Sequence, residues 1–183
     1  GDAINCTASA SDIHGGTATS MVTVNIENSE PTVDSIAIRP NTGITTSTTL
    51  TCAATASDLD GGTPTLTYAW TDASGTALGT GDTLALTPSL ISPTDTVICV
   101  ATATDTGGGT GTDQTSVTVD NTAPVVTTVS ISPSSGVTTS STLTCTGTAT
   151  DADGETPSLT YAWTDASGKT LGTSDKLTLS PAD

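Results

Sequence analysis

The side chains best equipped for chemistry are few: four cysteines, one histidine, and 19 Asp and Glu against three Lys and Arg. Cys6, Cys52, Cys99 and Cys145 are far apart, and none forms the C-x-x-C spacing of a redox pair or a zinc knuckle. His14 stands alone in a Gly-rich stretch, with no Ser or Cys nucleophile placed to use it as a base. A loop histidine of this kind reads as solvated surface. Gly107-Gly108-Gly109 lacks the Lys that a phosphate-binding loop requires. Paired carboxylates do occur, at Asp58 and Asp60 and at Asp151 and Asp153. They lie in turn-like Asp-x-Asp-Gly segments that occur twice, whereas a hydrolase cleft is usually built once. The expectation is that the chain is not an enzyme.

The acidic residues have other uses. Hard carboxylate and amide oxygens suit Ca²⁺, which takes about 6–8 of them. A net charge of −16 disfavours nucleic acid, whose phosphates need clustered Lys and Arg. No stretch approaches about 20 consecutive apolar residues, so no insertion into a membrane is expected from this segment. The start, Gly1-Asp2-Ala3-Ile4, carries no basic or apolar leader and reads as a position inside a larger protein.

What must position these residues is a repeat. The run Thr65-Leu66-Thr67-Tyr68-Ala69-Trp70-Thr71-Asp72-Ala73-Ser74-Gly75 returns 93 positions on as Ser158-Leu159-Thr160-Tyr161-Ala162-Trp163-Thr164-Asp165-Ala166-Ser167-Gly168. The same offset relates Cys52 to Cys145, Cys6 to Cys99, Pro31 to Pro124 and Asp12 to Asp105. Residues 29–121 therefore form one complete repeat. Residues 1–28 correspond to the C-terminal part of a repeat, with its last two strands. Residues 122–183 correspond to the N-terminal part of a further one. The expectation is a window on a longer array, or a subunit that shares a split domain with its neighbour.

Within the complete repeat, short β-branched runs are bounded by Gly, Pro, Asp and Ser. They predict strands over 32–38, 48–56, 66–71, 76–78, 83–87, 96–104 and 114–119. Seven short strands with turns every 8–12 residues indicate an all-β, Greek-key β-sandwich. The order Cys52, Trp70, Cys99 is the more specific sign.

Leu50-Thr51-Cys52, Asp58-Leu59-Asp60-Gly61, Leu66-Thr67-Tyr68-Ala69-Trp70, Cys99-Val100-Ala101 and Asp120-Asn121-Thr122-Ala123-Pro124 together resemble the immunoglobulin-like and PKD-like tandem repeats of bacterial surface proteins. The resemblance covers the whole chain. It implies tandem immunoglobulin-like Greek-key β-sandwich repeats of 93 residues at an extracellular or cell-surface location. It implies a Cys52–Cys99 disulfide within one sandwich, with Trp70 and its counterpart Trp163 as core residues. Cys145 and Cys6 then lack partners in their own fragments, and each is expected to bond the other between adjacent copies. The incoming linker and two loops of such a sandwich gather at one pole. That would bring Glu27, Asn28, Asp58, Asp60, Asp105, Asp120, Asn121, Asp151 and Asp153 toward the junctions, where they are candidate Ca²⁺ ligands. The alternative for these residues is that Asp, Asn and Gly simply form turns.

The expected role is structural: a filament, fibre or surface stalk whose partner is itself, in a head-to-tail homopolymer. The rival is an adhesin or carbohydrate-binding array, with Tyr68 and Trp70 as a possible sugar platform. A stalk attached to a secreted hydrolase is a third class.

Overall fold

The computed structural model describes residues 2–181 and is all-β; no helix occurs among the described residues, and so none is long and apolar enough to cross a membrane. Fourteen strands follow in order: β1 Ala3–Ser11, β2 Thr17–Asn25, β3 Thr32–Arg39, β4 Thr49–Ser57, β5 Thr65–Asp72, β6 Ala77–Thr80, β7 Thr83–Ala85, β8 Thr96–Thr104, β9 Thr110–Thr118, β10 Val125–Ser132, β11 Thr142–Thr150, β12 Trp163–Thr164, β13 Thr170–Gly172 and β14 Lys176–Thr178. Every pairing whose register is resolved is antiparallel.

The strands form a two-stranded sheet β1-β2, a three-stranded sheet β3-β4-β7, a four-stranded sheet β6-β5-β8-β9, a three-stranded sheet β10-β11-β14 and the pair β12-β13. The chain divides into two compact units. The first comprises Gly1–Arg39, Leu50–Leu84 and Val97–Ser116; the second comprises Pro40–Thr49, Ala85–Thr96 and Val117–Asp183.

The core of the first unit follows from period-two alternation, which sends every second side chain to the same face. Along β8, Val97, Cys99, Ala101 and Ala103 are all buried, while the residues between them are half-buried. Leu50 and Cys52 of β4, Ile38 of β3, Trp70 of β5 and Leu84 of β7 are buried as well. The chain has no Phe, so Trp70 supplies the one large ring of this core. In the second unit the buried apolar residues are Ile44, Leu86, Ile91, Val117, Val119 and Trp163.

Strand β9 starts four residues earlier than the β-branched run alone indicates. The Asp105 main-chain N–H donates to the Gly109 carbonyl at 3.1 Å, which closes a turn across the glycine run and starts the ladder at Thr110. The segment 158–162 shows the opposite difference. Its sequence matches the first part of β5, yet it forms no strand, and only Trp163–Thr164 are extended and paired.

Candidate functional site: the cysteines and the junction carboxylates

Cys52 of β4 and Cys99 of β8 are disulfide-bonded, with Cα atoms 6.5 Å apart and 47 positions between them in sequence. The bond links the central strand of the three-stranded β3-β4-β7 sheet to an inner strand of the four-stranded sheet. Trp70 stands directly opposite Cys99 in the β5-β8 ladder and is 0% exposed. Its indole N–H donates to the Gly81 carbonyl at 2.8 Å, so burying the ring leaves no polar atom unpaired. Trp70 has no free face on which a sugar could stack. Tyr68 is half-buried, and its hydroxyl accepts the Ala54 N–H at 3.2 Å.

Cys6 and Cys145 are free thiols, Cys6 exposed on β1 and Cys145 half-buried on β11. Trp163 is buried at 8% exposure, and its indole donates to the Ser174 carbonyl at 2.8 Å.

The carboxylates act mainly on backbone. In the first unit, Asp60 accepts the Ser29 N–H at 2.5 Å and the Ser29 hydroxyl at 3.3 Å. Asp58 accepts the Asp60 N–H within its own loop. Asn28 donates to Asp105 at 2.8 Å, and Asp105 also takes the Gly109 N–H at 2.8 Å. The Asn28 amide lies so close to the glycine run that a Cβ on Gly107 would collide with its oxygen. That contact accounts for glycine at position 107. Hydrogen bonding by Asn28, aided by the loop amides, holds the Asp105 carboxyl below the usual Asp range. Glu27 is exposed and lines a shallow cleft of ≈ 330 Å³ with Asp2, Ile26, Asn28 and Asp60.

The second unit holds a related arrangement. Asp153 accepts the Thr122 N–H at 2.6 Å and the Thr46 hydroxyl at 2.7 Å. Both Asp153 and Thr46 are buried, at 4% and 1% exposure. The Thr122 amide, and then the Thr46 hydroxyl, hold the Asp153 carboxyl below its ordinary value, against the opposing effect of burial. Asp151 accepts the Asp153 N–H. Asp120 donates its main-chain N–H to the Ile44 carbonyl, and its side chain is exposed. Asn121 donates to the Thr122 carbonyl at 3.2 Å. Among the described residues no three His, Cys, Asp or Glu side chains converge as a metal-holding group.

The chain matches no known family model and no curated protein.

Two site features lie outside the sequence-derived set. Thr46, the buried partner of Asp153, sits in a Thr/Ser-rich loop where its own sequence does not set it apart. The second is a turn formed twice. Asp72 accepts from the Ser74 N–H and hydroxyl and from the Thr76 N–H; Asp165 accepts from the Ser167 N–H and hydroxyl and from the Lys169 N–H. This one was legible: an Asp two residues before Ser-Gly is an Asx-turn pattern, and it recurs with the period. His14 is exposed, and its N–H donates to Asp12, which also holds the Gly16 N–H.

Proposed function

We propose that this chain is a structural repeat of an extracellular filament, fibre or surface stalk. It is built of immunoglobulin-like Greek-key repeats of 93 residues assembled head to tail, with split domains completed by a neighbouring copy or by continuous chain, and it is not catalytic. The observation that carries this reading is the duplication of detail. Ile38 pairs Cys52 in the β3-β4 ladder and Ile131 pairs Cys145 in the β10-β11 ladder. The register irregularity falls at Val33/Ser35 in one and at Val126/Thr128 in the other. The indole hydrogen bond and the Asp-Ser turn are copied in the same way. Closely similar loops suit a spacer, in which each unit adds its own stability and a neighbour term. The high negative charge keeps such assemblies soluble and apart. The disulfide fits an oxidising, extracellular setting. Electron microscopy of the purified chain is expected to show strings of beads that lengthen with concentration. A uniform population of short monomers at every concentration overturns the reading.

Calcium at the junctions belongs to the same proposal. Glu27, Asp58, Asp60 and Asp105 in the first unit, and Asp120, Asp151 and Asp153 in the second, supply hard oxygens, with Asn28 and Asn121 adding amides. Binding would require the Asp60 and Asp153 carboxylates to share oxygens now engaged by Ser29 and Thr122. A melting temperature that rises when Ca²⁺ replaces EDTA supports the ion; superimposed curves remove it.

The adhesin reading rests on one feature, an open groove of ≈ 680 Å³ lined by Leu66, Tyr68, Ala69, Gly81, Asp82 and Thr102. A glycan array probed with the chain decides for it or against it.

A further inference from the structure

The Asp-x-Asp-Gly segment divides its work among its residues, and it does so twice. In the loop 151–154, Asp151 accepts the Asp153 N–H at 2.8 Å, and the Gly154 N–H donates to the Asp151 carbonyl at 3.4 Å. The first Asp thus bends its own loop, as Asx turns do. Asp153 reaches out of the loop to the connection at 119–124, where it accepts the Thr122 N–H. Gly154 has a φ of +82°, and a Cβ there would meet the Pro88 Cβ at 3.0 Å. In the loop 58–61, Asp58 accepts the Asp60 N–H at 2.7 Å, and Asp60 accepts the Ser29 N–H. Ser29 and Thr122 are one period apart (122 − 29 = 93). The second Asp therefore grips the same residue of the incoming connection in both units.

The second unit shows what this grip belongs to. One oxygen of Asp153 accepts the Thr122 N–H at 2.6 Å, and the other accepts the Thr46 hydroxyl at 2.7 Å. Hydrogen bonds to an ionised acceptor are shorter and stronger than neutral ones. The connection is held at neighbouring residues too. The Val119 N–H donates to the Asp95 carbonyl at 2.9 Å, and the Val119 carbonyl accepts the Thr94 N–H at 2.8 Å. The Asp120 N–H donates to the Ile44 carbonyl at 2.6 Å. Thr94 has a φ of +70°, which a β-branched residue keeps only where its surroundings hold it. Ile44 and Val119 are each 1% exposed. Pro40–Thr49 and Ala85–Thr96 accordingly form one compact unit with Val117–Asp183, across the boundary between residues 121 and 122. A connection bonded in this way cannot swing without stripping partners from buried groups. For the Asp153 carboxylate that loss is especially costly, because a charge would be left buried and unpaired.

We infer that the second Asp of Asp-x-Asp-Gly is a latch, which locks the connection between successive repeats into a stiff joint and, at Asp153, does so without a metal ion. The carboxylate itself joins loop, connection and the preceding repeat, the task a cation shared between loops would otherwise perform. The first Asp and the Gly serve it, one by shaping the loop and the other by clearing Pro88. The latch goes beyond the structural role above and does not depend on assembly between copies.

The test is pulsed electron paramagnetic resonance on the full chain in a Cys6→Ser/Cys145→Ser background, with nitroxides placed through Thr42→Cys and Thr146→Cys. Both positions are exposed and lie in the second unit, on either side of the connection. One narrow distance distribution is expected in EDTA, and the same distribution in Ca²⁺. Asp153→Ala is expected to broaden it roughly twofold, toward the relative motion usual where domains share only a small interface. Thr46→Val leaves the carboxylate and its bond to Thr122 in place, and is expected to broaden it less. Asp60→Ala, in the first unit, is expected to leave it unchanged. Circular dichroism checks that the strands remain; if Asp153→Ala unfolds the second unit, the milder Thr46→Val carries the test. A distribution that is broad in EDTA and narrows in Ca²⁺ overturns the latch in favour of a metal-held joint. One that is broad in both shows that the joint is not stiff. Unchanged narrow distributions in every folded variant would place the stiffness elsewhere and refute the role of Asp153. Each of these results leaves the head-to-tail reading to electron microscopy.

Discussion

The region 65–104 and the region 158–181 begin with almost the same residues and end in different states. Thr65–Asp72 is an eight-residue strand held on both edges; of the matching residues only Trp163–Thr164 are in a ladder. Sequence is nearly constant across the pair, so the difference measures what a neighbouring strand contributes. Strand propensity describes how a residue fits a pleated, half-buried surface, and without the neighbour there is no such surface. What survives unchanged in the second region is local: the Trp163 indole bond to Ser174 and the Asp165 turn. Contacts closed within about a dozen residues persist, and those that need β8 do not.

The two tryptophans let the contrast be measured, because each region holds one. Trp163→Phe leaves Trp70 as the reporter, and Trp70→Phe leaves Trp163. In urea, the transition seen by Trp70 is expected at clearly higher concentration than that seen by Trp163. Trp70→Ala should remove about 3–5 kcal/mol, the range for deleting a fully packed aromatic ring. Trp163→Ala should remove less than half of that. Equal losses would mean that the second region is as well packed as the first. Replacing both Cys52 and Cys99 by Ala should lower the stability of the first region by roughly 4 kcal/mol, through the entropy returned to the unfolded chain. It should leave the Trp163 transition in place. A matching shift in both transitions would show that the regions unfold as one.

Much of this was legible in the residues. Alternation around Cys52 and Cys99 marked β4 and β8 within a residue of their observed bounds, because period-two burial writes itself directly into sequence. The Asp-Ser-Gly turns were legible for a related reason: their hydrogen bonds close within four residues. The unpaired state of 158–162 was not, since its residues nearly match those of β5 and what differs is that they have no partner strand among the described residues. The junction was half legible. Asp60 and Asp153 stood out as acids in repeated loops, which pointed to cation binding. Their use as acceptors for the Ser29 and Thr122 amides depends on where a distant chain segment passes, and Thr46 is 107 positions from Asp153.

Thr46 offers a smaller test of that junction. Thr46→Val keeps the shape and removes the hydroxyl, so the second unit should lose about 1 kcal/mol, as for one buried hydrogen bond. Thr139, the counterpart of Thr46 one period on, is exposed, and Thr139→Val should change stability by less than about 0.5 kcal/mol, as is usual at the surface. The same substitution is made at both positions, so equal effects would mean that the Asp153 contact contributes nothing.

The smallest effect is the sharpest for the comparison, because it should be the same on both sides. The Ser74 hydroxyl, with the Thr76 amide, lowers the Asp72 carboxyl; the Ser167 hydroxyl, with the Lys169 amide, lowers the Asp165 carboxyl. Each folded turn therefore binds fewer protons than the unfolded chain. The stability this gives is fully present above the unfolded Asp pKa of about 3.9 and is lost as pH falls through the lower folded value. Carbon-detected NMR titration of the two carboxyls is expected to show both below the ordinary Asp range. Ser74→Ala and Ser167→Ala should each raise only their own Asp. If Asp165 titrates at the ordinary value while Asp72 does not, the turn in the second region is not formed. The lack of a paired neighbour strand among the described residues would then matter even to contacts that close within four residues.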